Sequence, residues 1–155
     1  MATTKPDPLG TSLALDNGDL RLAAGDLARV SGLPNLHRGL SALIETPFGT
    51  DLFNVGYGFD FSQVIELPRG LPGGLRLEKE LIRLNLVRTL SIDDRVTEVR
   101  EVVFDDEPRF FELVEGTDPT TARDAHKHRR EWRAVVVLAL INGDTANLTL
   151  TGPGI

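Results

Sequence analysis

His126-Lys-His128 places two imidazoles two residues apart, a spacing that on a strand points both to one side and makes half of a metal site. No third ligand lies nearby, and Lys127, Arg129, Arg130 and Arg133 surround the pair with positive charge that repels a divalent cation. The segment therefore reads as a solvated basic loop, and neither a metal nor another cofactor is expected. It has no interleaved aromatics beyond Trp132, and the net charge of −6 also points away from nucleic acid. Among the carboxylates, Glu45 with Asp51 is a nominal pair for glycoside hydrolysis, but nothing around either residue supplies a hydrolase signature. Ser12, Ser31, Ser41, Ser62 and Ser91 sit in no Gly-x-Ser-x-Gly elbow. Gly56-Tyr-Gly58 is followed by no lysine at phosphate-loop spacing, and His37 reads as an exposed or satisfied helix residue. No enzyme activity is expected from these residues.

What remains is a charged corner, Asp93-Asp94-Arg95. On spacing alone it reads as a helix end followed by a turn, with the acids in water and Arg95 paired locally. The elements that position it are legible on both sides. From Leu75 to Leu90, apolar residues at 77, 81, 84 and at 75, 82, 86 predict an amphipathic helix with Arg76, Lys79, Arg83 and Arg88 outward. After the corner, Val96 to Phe104 alternates like a strand.

The rest of the chain is read in the same way. Residues 1–10 form a flexible tail, and residues 11–155 fit one domain of ordinary apolar content. Asp16-Asn-Gly18 predicts a hairpin between Thr11–Leu15 and Asp19–Leu22. Leu33, Leu36, Leu40, Leu43 and Ile44 share a helix face that ends at Thr46-Pro47. Phe53, Tyr57 and Phe59 are expected to pin the following loop into the core. Arg109 to Glu115 reads as a short strand, and Glu131–Ile141 and Ala146–Thr151 as a hairpin about Asn142-Gly-Asp144. The expected fold is α+β, with two principal helices on a small mixed or antiparallel sheet. There is no cysteine, no apolar stretch of signal-peptide length at the N-terminus, and no run long enough to cross a bilayer.

Taken together, Gly18-Asp-Leu20, Gly25-Asp-Leu27, Val30-x-Gly32, the helix with Leu36, Leu40 and Ile44, Thr46-x-x-Gly49, Tyr57-Gly58, the helix from Leu75 with Ile82-Arg83, and Asp93-Asp-Arg-Val96 with Val99 and Val102-Val103 follow one another in a recognisable order. In this the chain resembles the lysozyme-like baseplate wedge family, the sheath initiators of contractile phage tails, type VI secretion baseplates and phage-tail-like injection particles. Many members carry Glu-Pro-Arg at the corner where this chain has Asp93-Asp94-Arg95, so the acid is shortened, the proline is absent and the arginine remains.

The resemblance implies a structural component that docks on baseplate wedge proteins through that corner. It also implies that the closing β structure templates the first sheath ring by strand addition. Trp132, Val135, Val137, Ala139, Leu148 and Leu150 are the residues expected to meet the sheath subunit. Inner-tube or spike-hub proteins are further implied partners, with several copies in a ring-symmetric baseplate, no nucleic acid or membrane, and cytoplasmic assembly. Two other readings stay open: a peptidoglycan-cleaving enzyme, as the family's label suggests, and a stand-alone anti-adaptor that binds a regulatory protein.

Overall fold

Two runs rich in β-branched residues, at 96–104 and 131–140, read as strands, and in the computed structural model they pair with each other. The structure describes residues 7–16, 19–62, 74–114 and 131–153. Antiparallel strands β7 (Val96–Phe104), β8 (Glu131–Leu140) and β9 (Thr145–Pro153) form a sheet in that order, with β8 in the middle. The turn from β8 to β9 closes on Gly143 at φ 87°, as the Asn-Gly signal predicts. Helices α1 (Leu33–Glu45) and α2 (Gly74–Leu90) cover one face, α1 lying over β9 and α2 over β7, and the short helix α3 (Pro108–Leu113) sits on the other. The α+β expectation with two principal helices holds.

The main core lies between the two long helices and the sheet. Leu36, Leu40, Leu43 and Ile44 of α1 meet Ile82, Leu86 and Leu90 of α2 and Phe104, Trp132, Ala134, Val136, Leu138, Leu148 and Leu150 of the sheet. Each leucine removed from water in this way contributes about 1.5–3 kcal/mol. On the far face, Val103 and Val135 pack under Phe110 of α3. The expected strand after Pro108 is thus a helix. Glu107 precedes it in an extended conformation and Pro108 occupies the first turn, where its missing N–H has no bond to lose.

Three other expectations change. In α2 the buried stripe is Ile82, Leu86 and Leu90 with Asn85 and Thr89, whereas Leu77 and Leu84 are exposed. The sequence offered two overlapping leucine series, and only one can face the sheet. The tail is built into the fold from residue 7 onward: Leu9 is buried, and its carbonyl accepts from Asn35 Nδ2 at 2.9 Å and Arg95 Nη1 at 3.2 Å. Phe53 does not pin its loop, being wholly exposed, while Phe59 is wholly buried and Tyr57 half-buried against the core.

Between the tail and α1 the chain makes three small antiparallel ladders. β1 (Thr11–Leu13) pairs with β6 (Arg29–Ser31), β2 (Leu15–Asp16) with β3 (Asp19–Leu20), and β4 (Leu22–Ala23) with β5 (Asp26–Leu27). The predicted hairpin about residues 16–18 survives only as the second ladder; its Asn17-Gly18 turn lies outside the described residues. A repeat underlies the arrangement, Leu-x-x-Gly-Asp-Leu at 15–20 and again at 22–27. Among the described residues no helix is long and apolar enough to cross a membrane.

Candidate docking surfaces

The charged corner is held by its own residues. Arg95 forks onto Asp93, with Nε donating to Oδ1 at 2.8 Å and Nη2 to Oδ2 at 2.6 Å, and its backbone N–H donates to the same carboxylate at 3.0 Å. A planar guanidinium meeting a carboxylate through two parallel bonds is among the stronger polar contacts a protein makes. Hydrogen bonds from Arg95, working against partial burial, hold the Asp93 carboxyl below the usual aspartate range. The guanidinium reaches past Asp93 to α1, where a Cβ on Gly39 would stand 2.7 Å from Nη2. Of the three residues singled out at the corner, Arg95 is thus occupied with Asp93 and with Leu9, Asp93 with Arg95, and Asp94 is exposed.

Replacing Arg95 with alanine is therefore expected to cost about 1.5–3 kcal/mol, because it leaves a half-buried carboxylate without its charged donor. Acid should do the same to the native chain. Since folding lowers the pKa of Asp93, the pair's contribution is whole above the ordinary aspartate value and fades as pH falls from there through the depressed one. An acid titration of thermal stability checks this: the native chain should lose stability over that range, and the Arg95→Ala variant should lose less.

Beside the corner stands the loop that follows α1. Asp51 accepts from the N–H groups of Phe53 and Asn54 at 2.8 and 3.1 Å, and at the loop's base Phe48 N–H donates to Phe59 C=O and Phe59 N–H to Thr46 C=O. The loop is therefore tied at both ends while its tip, Leu52-Phe53-Asn-Val55, projects into solvent with Phe53 100% and Leu52 90% exposed. Phe48 and Asn54 share a cavity of about 430 Å³ with Ile92 of the corner. The Tyr57 hydroxyl joins the two regions: burial raises its pKa, and the nearby Asp51 and Asp93 carboxylates add to the effect. Corner and loop thus form one surface with apolar tips and a charged, internally braced centre. The exposed Phe53 side chain is a signal sequence reasoning missed, because aromatic content alone cannot tell an anchor from a knob.

The residues expected to meet a sheath strand are placed differently. Trp132, Leu148 and Leu150 face the main core, Val135 packs in the smaller cluster, and Val137 and Ala139 are half-buried on the same side of the sheet as Val135. Their side chains are not a free binding face, and β8 does not lack a partner. The strand has one on each side, because Val96–Phe104 supplies the third strand that a hairpin alone lacks.

The open hydrogen bonds lie one strand further out. Leu140 N–H donates to Asp144 C=O at 2.9 Å, while Arg133 C=O accepts from Asp105 N–H beside β7. Antiparallel alternation then turns the even residues of β8 towards β9, and turns the N–H and C=O groups of Thr145, Asn147, Thr149 and Thr151 away from the sheet. Among the described residues no strand pairs with that edge. Next to it runs a groove of about 720 Å³ between β9 and α1, lined by Leu33, Leu36, Leu40, Leu138, Ala146 and Leu148, with His37 at its wall.

The opposite edge is guarded. β7 carries two register shifts and the ion pairs Arg100–Glu98 and Arg109–Glu101, the devices that keep an edge strand from pairing. β9 has an unbroken nine-residue register, and its outward-turned residues from 145 to 151 carry no charge.

The other candidates for chemistry stay apart. Glu45 is exposed, and Asp51 serves as the loop's cap; neither lines the cavities described above. His126 and His128 lie outside the described residues, among which no group of three His, Asp or Glu side chains gathers to hold a metal. No family model, curated protein or solved structure matches this chain.

Proposed function

We propose that this protein is a structural adaptor of the sheath-initiator kind, which seats on a baseplate wedge and offers β9 as the template for a strand of the first sheath subunits. The observation that carries this reading is the contrast between the two edges of the sheet: one bulged and charged, the other long, uncharged and flanked by an apolar groove. A strand laid antiparallel or parallel against β9 would satisfy the outward backbone groups of Thr145, Asn147, Thr149 and Thr151. Its alternate side chains would enter the groove under α1. Backbone pairing supplies affinity and the groove supplies register, so a six- or seven-residue strand with apolar residues at every second position is the ligand that fits. β8 keeps the role of a stiff backing, locked between two neighbours, and the ring geometry of the wedge would set how many copies present an edge.

The corner from Asp93 to Arg95, with the loop tip beside it, is the surface proposed to meet the wedge. Its guanidinium is braced within the chain, so the contact is shaped by Asp94, Ile92 and the exposed Phe53 rather than by Arg95 alone. Phe53→Ser is expected to leave thermal stability within about 0.5 kcal/mol, since the ring touches nothing in the isolated chain. It should lower incorporation into baseplates about tenfold, as loss of a buried aromatic anchor does. Co-sedimentation of the variant with assembled baseplates reads both arms.

The function itself is tested by removing the gene and imaging the particles made. Tubes and baseplates without sheath are expected. Particles with normal sheaths would overturn the proposal, and so would release of peptidoglycan fragments by the purified chain.

A further inference from the structure

The three small ladders before α1 meet at a hub. Arg21 N–H donates to Ala14 C=O, Ala28 N–H to Arg21 C=O, and Ala14 N–H to Ala28 C=O, at 2.9, 2.9 and 2.7 Å, closing a triangle of backbone bonds. Hub residues recur every seven positions, and each ladder springs from between two of them. The ladder registers then fix which side chains share a face. Leu13 and Leu15 flank the hub residue Ala14 two positions apart, Leu15 stands opposite Leu20, Leu20 and Leu22 flank Arg21, Leu22 stands opposite Leu27, Leu27 and Arg29 flank Ala28, and Arg29 stands opposite Leu13. Directly paired residues across a ladder point the same way, and the two flanks of a hub residue do so too, as the burial of Ala14 between exposed Leu13 and Leu15, and of Ala28 in part between exposed Leu27 and Arg29, marks. The six positions therefore form a closed ring on one side of the three-leaved disc.

Five of the six are leucines, each between 39% and 70% exposed, and the sixth is Arg29, which has no ion-pair or hydrogen-bond partner among the described residues. The hub side chains turn to the other side, where Ala14 is buried, and Arg38 of α1 donates to the carbonyls of Leu13 and Leu15. The disc is thus fastened from behind and shows its apolar side to solvent. A contiguous patch of this kind on a rigid support is characteristic of an interaction site.

We infer that the leucine ring of residues 13, 15, 20, 22 and 27 docks a segment of another protein whose apolar side chains cover the ring and whose carboxylate meets Arg29. Charge selects this occupant over two others. A second copy of the chain would bring only leucines and another guanidinium to the face, leaving both arginines unanswered. An anionic bilayer would meet Arg29 alone on this face, since the alternation that groups the leucines turns Asp16, Asp19, Asp26 and the hub residue Arg21 to the other side, and one cation is far short of the four to eight that hold such a surface. The inference does not depend on the role proposed for β9.

The test is site-specific photocrosslinking in cells that make the full chain, with Leu22→p-benzoylphenylalanine and Leu20→p-benzoylphenylalanine as probes and Ser91→p-benzoylphenylalanine as the control position. Both probes are expected to capture one partner protein through a peptide that combines apolar residues with an Asp or Glu. Adding Arg29→Glu should reduce the yield at least tenfold, and changing the captured carboxylate to Arg should restore it. That rescue separates lost charge pairing from misfolding. Capture of a second copy or of lipid, a yield no higher than at position 91, or indifference to Arg29→Glu would each overturn the inference.

Discussion

Thr149→Pro is expected to reduce recruitment of sheath subunits at least tenfold while leaving the isolated chain folded. Thr149 sits in the middle of β9, and its N–H is turned away from β8 by the alternation that starts at the bond from Leu140 to Asp144. Proline there takes no hydrogen bond from the native sheet, and edge strands tolerate it, so a stability loss of less than about 1 kcal/mol is expected. What it removes is a donor for the incoming strand, and its ring occupies the space that strand needs. Leu148→Pro, one residue earlier, is the contrasting variant. The N–H lost there serves the pair with Val136, and the side chain lost belongs to the core, so the chain itself should unfold at a lower temperature. If Thr149→Pro recruits sheath normally, β9 is not the templating edge. Pull-down of sheath subunits beside thermal melting of both variants separates the two effects.

The second large effect is on the loop that carries Phe53. Gly58 lies at φ 110°, and a Cβ there would stand 2.6, 2.8 and 2.9 Å from Thr46 O, Pro47 O and Phe48 N. All three are backbone atoms at the end of α1, so none can swing aside as a side chain would. Gly58→Ala therefore combines a disfavoured dihedral with a collision, and about 3 kcal/mol or more of destabilisation is expected. For a chain of this length that corresponds to a fall of roughly 6–12 °C in Tm. Gly143→Ala calibrates the claim, since that glycine has φ 87° but nothing within 4 Å of its absent Cβ. It should cost only about 1–2 kcal/mol, the dihedral part alone. Equal losses at the two sites would show that crowding against Thr46 and Pro47 plays no part.

Much of the scaffold was legible where local chemistry and tertiary need agree. The α1 stripe of Leu36, Leu40, Leu43 and Ile44, its stop before Pro47 and the turn at Asn142-Gly143 all carry signals that depend on a few neighbouring residues. The α2 stripe was only half legible, because Leu77, Leu81 and Leu84 make as good a series as Ile82 and Leu86 until a sheet is present to choose between them. The strand order was the larger gap. The run at 134–141 is apolar on both sides, which points to cover on both faces but does not say that Val96–Phe104 pairs along one edge. That contact spans a long stretch of chain and leaves no local mark.

The candidate surfaces followed the same division. Arg95 was read as pairing locally, and its fork onto Asp93 is such a pairing; the same reading put both acids in water, which holds for Asp94 but not for Asp93, drawn in under the guanidinium. The leucine ring was hidden, although its Leu-x-x-Gly-Asp-Leu repeat is plain once the hub is seen. Its residues look like ordinary alternating hairpin positions, and only the ladder registers place them on one side.

Residue-resolved amide hydrogen exchange on the chain, alone and in sheathed particles, tests the templating role most directly. In the isolated chain the amides of Thr145, Asn147, Thr149 and Thr151 should exchange quickly and those of Ala146, Leu148 and Leu150 slowly. In the particle all seven should be slow, because a foreign strand now accepts from the outward set. Outward amides that exchange equally fast in both states would contradict the account.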